Sequence, residues 1–255
     1  MILQAIQQTL TPILDPTFSD SSFGYRPRRS AHQAVKQVQR YIRDGHRVAV
    51  DLDLEKFFDR VDHDLLMNRL GRRVADRRLL RLIGLYLRAG VVIGNQLQPT
   101  RQGVPQGSPL SPLPRPAQFA NLMLDELDQE LEGRGHRFVR YADDAVILVR
   151  SERADHRVMA NIAPPRRRHS LDHRLKLKVN AEKSQVVRTD QLSFLGFSFR
   201  GTKICWSEMT LARFKWSVRQ LTNRNWGVSM RVLLAKLADY LRGWIGYFWI
   251  HSCPR

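Results

Sequence analysis

The chain has 255 residues, enough for one large domain or two small ones, and 43% of them are apolar, which excludes a disordered polymer. Lys and Arg number 42 against 24 Asp and Glu, a formal net charge of +18. An excess of that size points to a polyanionic partner, most simply nucleic acid; a ribosomal-type or merely soluble basic protein is the competing reading.

The opening "MILQAIQQTLTPILD" lacks the basic start and continuous apolar core of a signal peptide, and no apolar run is long enough to span a bilayer. "SAHQAVKQVQRYIRDG" carries Ala31, Ala34, Val35, Val38 and Ile42 at helical spacing, with Ser30 as N-cap and Gly45 as stop. "HRVAVDLD" reads as a strand and "KFFDRVDHDLLMNRLGRRV" as helical. "DRRLLRLIGLYLRAG" is an amphipathic helix with Arg77, Arg78, Arg81 and Arg88 on its polar side. "VVIGNQLQPT" reads as a hairpin centred on Gly94-Asn95. "GVPQGSPLSPLPRPAQ" is loop, and "FANLMLDELDQELEG" a helix. After "RFVRYADDAVILV" come a further helix, a strand pair "LKLKVN" and "SQVVR", and "LSFLGFSF". The tail "MRVLLAKLADYLRGWIGYFWI" is a helix with Leu234, Leu237, Leu241 and Trp244 on one stripe. Strands and helices do not alternate regularly, so the fold class is α+β and not a doubly wound sheet. Cys205 and Cys253 stand far apart without a His/Cys cluster, which argues against a disulfide framework or zinc finger and fits a reducing compartment.

Asp143 and Asp144 interrupt the run "RFVRYADDAVILV". An acidic turn closing a hairpin is one reading. A metal site is the other. Two divalent cations roughly 4 Å apart can clamp the attacking and leaving oxygens of a phosphoryl transfer. Magnesium takes hard oxygen ligands and few protein carboxylates. Successive strand side chains face opposite ways, so an Asp-Asp pair converges best at a turn. A third carboxylate must come from elsewhere: Asp51 and Asp53 lie two apart on one strand face, and Asp59 follows in a helix.

Six motifs in order then carry a resemblance. "FGYRPRRSAHQAV", "DLDLEKFFDRVDHDLL", "GVPQGSPLSP", "YADD", "LKLKVNAEKSQVV" with "FLGFSF", and finally "RFKWSVRQLTNRN" with "LADYLRGWIGYF" resemble the group II intron-encoded, or retron-type, reverse transcriptases and their maturase segment. The resemblance covers almost the whole chain. It implies a right-hand polymerase palm with partial fingers over 1–200, and the helical start of the thumb/maturase segment over 201–255. It implies an RNA-directed DNA polymerase in the cytoplasm using two Mg²⁺ ions, with an RNA template (intron RNA), a DNA primer and dNTPs as partners. Asp53, Asp143 and Asp144 match the metal ligands, which leaves Asp51 outside the set and Asp59 at a helix start. Phe58 matches the residue under the incoming sugar, with a plain core aromatic as the alternative. Gln106 and Gly107 match the nucleotide pocket, with a generic Pro-Gly loop as the alternative, and Lys183 the lysine near the leaving pyrophosphate, with a solvated surface lysine as the alternative. Leu195 and Gly196 match the primer grip; Arg26, Arg28 and Arg29 match a template-contacting patch, with a solvated face as the alternative.

The sequence also departs from the pattern. It resembles a copy truncated at both ends: an R-P-x-G-I-P-like fingers segment and an HNH-type endonuclease are missing. Pro114 and Pro116, then Pro164 and Pro165, fall where helices are expected, and a proline inside a helix costs about 3 kcal/mol or more. Ala145 follows the aspartates where a bulky aromatic is usual. A second reading therefore stands beside the polymerase: a non-catalytic, maturase-like RNA-binding remnant of a degraded mobile element. The polymerase reading requires Asp53 at the end of a central strand beside a hairpin tipped by Asp143 and Asp144.

Overall fold

The structure, a computed structural model, describes residues 2–52, 61–89, 91–93, 96–98, 117–150, 184–223 and 227–253. Helix α1 (Ile2–Leu14) buries Ile6, Leu10 and Leu14, spaced four apart on one face. Helix α2 (Ala31–Arg43) begins at a reciprocal cap: the Ser30 hydroxyl accepts from the Gln33 amide, and the Gln33 side chain accepts from the Ser30 amide. Its buried stripe is Ala31, Ala34, Val35, Val38 and Ile42, the residues expected from spacing. Helices α3 (His63–Gly71) and α4 (Arg77–Arg88) are capped by Asp62 and Asp76, and α4 turns Arg77, Arg78, Arg81 and Arg88 to solvent. Helix α5 (Ala117–Gly133) crosses beneath the main sheet; α6 (Glu208–Leu221) and α7 (Met230–Phe248) follow.

The main sheet is antiparallel in the order β4 (Arg137–Tyr141), β5 (Asp144–Val149), β1 (Val48–Leu52) and β6 (Gln185–Arg188). Strands β2 (Val91–Ile93) and β3 (Gln96–Gln98) pair as the short hairpin expected around Gly94-Asn95. A second sheet, β7 (Ser193–Phe194), β8 (Phe197–Arg200) and β9 (Lys203–Trp206), carries "FLGF". Both faces of the main sheet are covered. Val48, Val50, Leu52, Phe138 and Ile147 pack toward α1, α3, α4 and α5. Ala49, Val139, Val146 and Leu148 pack toward α2 and the second sheet. That two-sided burial explains why β5 reads as an unbroken apolar run and not as an alternation.

Two expectations change here. Leu234 on α7 is 55% exposed, and the half-buried stripe runs through Leu233, Leu237, Leu241 and Trp244. Cys205 and Cys253 are joined in a disulfide, with Cα atoms 5.3 Å apart. After α7 the chain folds back over β9, where Ser252 N donates to Ile204 O at 2.8 Å. A separation of 48 in sequence therefore says nothing about distance in space. Ala145, the small residue after the aspartates, is buried in the core, 1% exposed. The "PQGSP" loop, "LKLKVN" and Pro114, Pro116, Pro164 and Pro165 lie outside the described residues. Among the described residues no helix is long and apolar enough to cross a membrane.

Candidate active site

The hairpin β4–β5 closes with Tyr141 opposite Asp144, so its two turn residues are Ala142 and Asp143. This corrects the expected turn at Asp143-Asp144. Ala142 takes a φ of 60°, in the left-handed region, and is 4% exposed. Asp143 sits half-buried in the turn, and Asp144, the first residue of β5, is exposed. The break in strand alternation thus falls at Ala142 and Asp143, immediately before Asp144.

Strand β1 lies at the centre of the sheet, between β5 and β6. Its register sets Asp51 opposite Val146 and Leu52 opposite Ala145. Paired residues of an antiparallel ladder share a face, so Asp51, Val146 and Asp144 lie on the same face, and Leu52 and Ala145 on the other. Asp53, which follows Leu52 in sequence, lies outside the described residues, as do Phe58, Asp59, Gln106, Gly107 and Lys183.

The second sheet and α7 approach that same face. Leu195 and Gly196 form the two-residue turn between β7 and β8, with φ of 52° and 82°. Left-handed values at both positions are those of a type I′ hairpin turn, which Gly tolerates and Leu rarely adopts. Three bonds hold the turn: Ser207 N and Thr210 Oγ1 donate to Gly196 O at 3.0 and 2.9 Å, and the Tyr247 hydroxyl donates to Leu195 O at 3.2 Å. A Cβ on Gly196 would stand 3.0 Å from Thr210 Oγ1 and 3.3 Å from the Phe248 ring. Burial pushes the Tyr247 phenol up, and the acidic groups of Tyr141 and Asp144 push it further. Tyr141 is likewise raised, by burial and then by Tyr25, whose ring centroid is 6.1 Å away. The "FLGF" turn, the end of α7 and the aspartate hairpin therefore share one electrostatic neighbourhood.

The three arginines part company. Arg26 is turned inward with its side chain 6% exposed; Nε donates to Asp15 Oδ1 at 2.7 Å, and its other donors go to the carbonyls of Asp15, Ser19 and Ser22. Its hydrogen-bonding capacity is spent inside the protein, which corrects its expected place in a template patch. Arg28 is exposed. Arg29 pairs with Asp20 at 2.5 Å and lies over the Phe23 ring. Arg28, Arg29, Lys36 and Arg40 line a cleft of about 540 Å³ together with Phe23 and Tyr41.

Beneath the aspartate turn lies a cluster that motif reading missed. Arg140 is fully buried and its Nε and Nη2 meet Asp128 at 2.8 and 2.5 Å. Nη1 donates to Asn121 Oδ1 at 2.9 Å and to Ala142 O at 2.8 Å, and Nη2 to Ser22 Oγ at 2.8 Å. Burial pushes the Asp128 carboxyl up, and the Arg140 guanidinium pulls it part of the way back. The signal was present in the sequence: Asn121, Asp125 and Asp128 recur at helical spacing, in line with one face of the helix, and Arg140 sits between Val139 and Tyr141 in a strand.

Asp143 and Asp144 are hard oxygen donors of the kind a magnesium ion takes, set side by side at a turn, and in that respect they fit it. Among the described residues no group of three or more His, Cys, Asp or Glu is placed to hold a metal ion, and Asp53 lies outside those residues.

A central antiparallel sheet bearing an acidic hairpin, backed by helices and faced by a small second sheet, defines the palm of a right-hand polymerase with partial fingers and a helical thumb segment. The reverse transcriptase (RNA-dependent DNA polymerase) family matches residues 1–199, and the group II intron maturase-specific domain matches residues 211–255. The chain belongs to the reverse transcriptase family, and to its group II intron kind. It is 27% identical to protein YkfC of Escherichia coli K12, over 93% of this chain and 69% of that protein. It is 32% identical to the group II intron-encoded protein LtrA of Lactococcus lactis, over 73% of this chain and 28% of that protein. Its fold is similar to that of telomerase from Candida tropicalis in complex with a fragment of telomeric RNA: TM-score 0.61 at 13% identity, covering 96% of this chain and 46% of the telomerase.

Proposed function

We propose that the chain is the polymerase part of a group II intron reverse transcriptase, adding nucleotides from dNTPs to a primer 3′-hydroxyl on an RNA template. Residues 1–200 form fingers and palm, and 201–255 open the maturase segment. The observation that carries this reading is the register of β1 against β5. Leu52, the last described residue of β1, pairs with Ala145, so the strand that leads into Asp53 in sequence runs beside the strand that Asp144 opens. The sequence resemblance adds Asp53 as the third carboxylate beside Asp143 and Asp144.

These three aspartates would hold two Mg²⁺ ions. Bound there, the pair lowers the pKa of the primer hydroxyl and neutralises charge on the triphosphate. The protein's own task is positioning. The Leu195-Gly196 turn, braced by Tyr247 and Thr210, is a rigid backbone surface suited to the primer end beside the aspartates. Arg28 and Arg29, with Lys36 and Arg40, offer a basic cleft for the phosphates of an RNA strand. The sequence resemblance further assigns Phe58, Gln106 and Gly107 to the nucleotide pocket and Lys183 to the side of the leaving pyrophosphate. By the sequence resemblance, the template is intron RNA and the site of action the cytoplasm. Primer extension on an RNA template with Mg²⁺ and dNTPs tests the reading. Synthesis abolished by Asp143→Ala while RNA binding persists supports it; RNA binding with no synthesis from any form carrying the aspartates leaves a maturase-like RNA-binding protein instead.

A further inference from the structure

Ala142 holds a left-handed backbone conformation in which a non-glycine residue is strained. Such a conformation persists only where its surroundings enforce it, and here a closed circuit of contacts does so. Gly24 presses against the turn: a Cβ there would stand 2.3 Å from Ala142 N and 3.0 Å from Tyr141 C. The glycine is needed for approach and not for conformation, since its φ lies outside the left-handed region. Gly24 O accepts from Asn121 Nδ2 at 2.9 Å. Asn121 Oδ1 accepts from Arg140 Nη1, and the same nitrogen donates to Ala142 O. The segment around Gly24 is tied to β4 by two backbone bonds, Phe23 N to Arg140 O at 2.8 Å and Arg140 N to Ser21 O at 2.9 Å. Asn121, Arg140 and Ser22 are fully buried. An ion pair serving stability alone would require Asp128 and Arg140 but no bond to Ala142 O.

We infer that Gly24, Asn121 and Arg140 are positioning residues: they lock the Ala142-Asp143 turn in its left-handed form and so fix where Asp143 and Asp144 present their carboxylates to divalent cations. The inference rests on the metal-dependent reading proposed above. It gives the Phe23-Gly24 part of "FGYR" a task at the aspartate turn and leaves the template to Arg28 and Arg29.

The test uses the 255-residue chain, Mn²⁺ as the probe, and four variants. Gly24→Ala pushes a methyl group into the turn. Asn121→Asp keeps an acceptor for Arg140 but deletes the donor to Gly24 O. Gly133→Ala, with nothing within 4 Å of the added Cβ, is the control. Asp143→Ala defines how much Mn²⁺ binding belongs to the turn. Amide hydrogen exchange reads the turn directly, and electron paramagnetic resonance reads bound Mn²⁺. In Gly24→Ala and Asn121→Asp, exchange across residues 141–144 should accelerate while residues 146–149 stay protected. Asp143-dependent Mn²⁺ binding should weaken about tenfold or more, the scale on which groups behind metal ligands act. Gly133→Ala should match the wild type in both. Unchanged exchange in both variants overturns the inference, as does a loosened turn that binds Mn²⁺ as tightly as before. If Gly24→Ala does not fold, Asn121→Asp decides alone. A wild-type chain with no Asp143-dependent Mn²⁺ binding fails the metal reading itself, and the inference with it.

Discussion

Replacing Asp128 by Asn keeps the shape of the side chain and removes its charge. The Arg140 guanidinium would stay in place, because Asn121, Ser22 and Ala142 still accept from it. Its positive charge would then be buried without a counter-ion. Both side chains of the pair are 0% exposed, so water cannot compensate. Breaking a buried ion pair from one side costs about 3–5 kcal/mol. For a domain of this size each kcal/mol lowers Tm by about 2–4 °C, so the shift should be about 6–20 °C. Thermal and urea denaturation of Asp128→Asn measure it. Adding Arg140→Met to Asp128→Leu should cost less than the two singles together, by a coupling of about 1–3 kcal/mol. A loss under about 1 kcal/mol for Asp128→Asn, the value of an exposed pair, would contradict the buried cluster described above.

Three further outcomes follow from other parts of the site. Gly196→Ala combines a left-handed backbone with contacts to Thr210 and Phe248, and should cost about 1–3 kcal/mol by denaturation, more than Gly201→Ala, whose Cβ meets open space. The phenols of Tyr141 and Tyr247 are raised above the ordinary 10.0, so folding favours their neutral forms; the stability this adds is full below pH 10 and is lost as pH rises through the folded-state values. Alkaline denaturation should accordingly be shallower in a Tyr141→Phe, Tyr247→Phe double variant than in the wild type. Binding to an RNA–DNA hybrid should weaken steeply with salt, log K falling by roughly 0.7–0.9 per neutralised phosphate, and should persist in Asp143→Ala because phosphate contacts live on Arg and Lys.

How much was legible in the sequence depended on whether the deciding contacts were local. Helix α2 could be read to the residue, because a cap at Ser30 and a five-residue apolar stripe are properties of a short segment. Helix α7 is apolar on several sides, so spacing alone selects Leu234 where Leu233 is the half-buried residue. Helix α1 escaped notice behind Pro12, although Ile6, Leu10 and Leu14 carry its spacing. The aspartate hairpin was expected, but its turn was set one residue late. The shift is imposed by Gly24, which presses on Ala142 from more than a hundred residues away, and by Arg140, two residues before it, whose side chain is held by Asp128, Asn121 and Ser22. The inward turn of Arg26 and the meeting of Cys205 with Cys253 are likewise products of tertiary return, to which spacing along the chain is blind.

Metal-dependent synthesis at the aspartate turn is the central claim, and primer extension on an RNA template with Mg²⁺ and dNTPs measures it most directly. Metal ligands act as a unit, so Asp53→Ala and Asp143→Ala should each abolish extension without loss of RNA binding, while Asp51→Asn, two residues earlier in sequence, should retain it. Extension that survives Asp143→Ala, or that is lost with Asp51→Asn and kept with Asp53→Ala, would contradict the account.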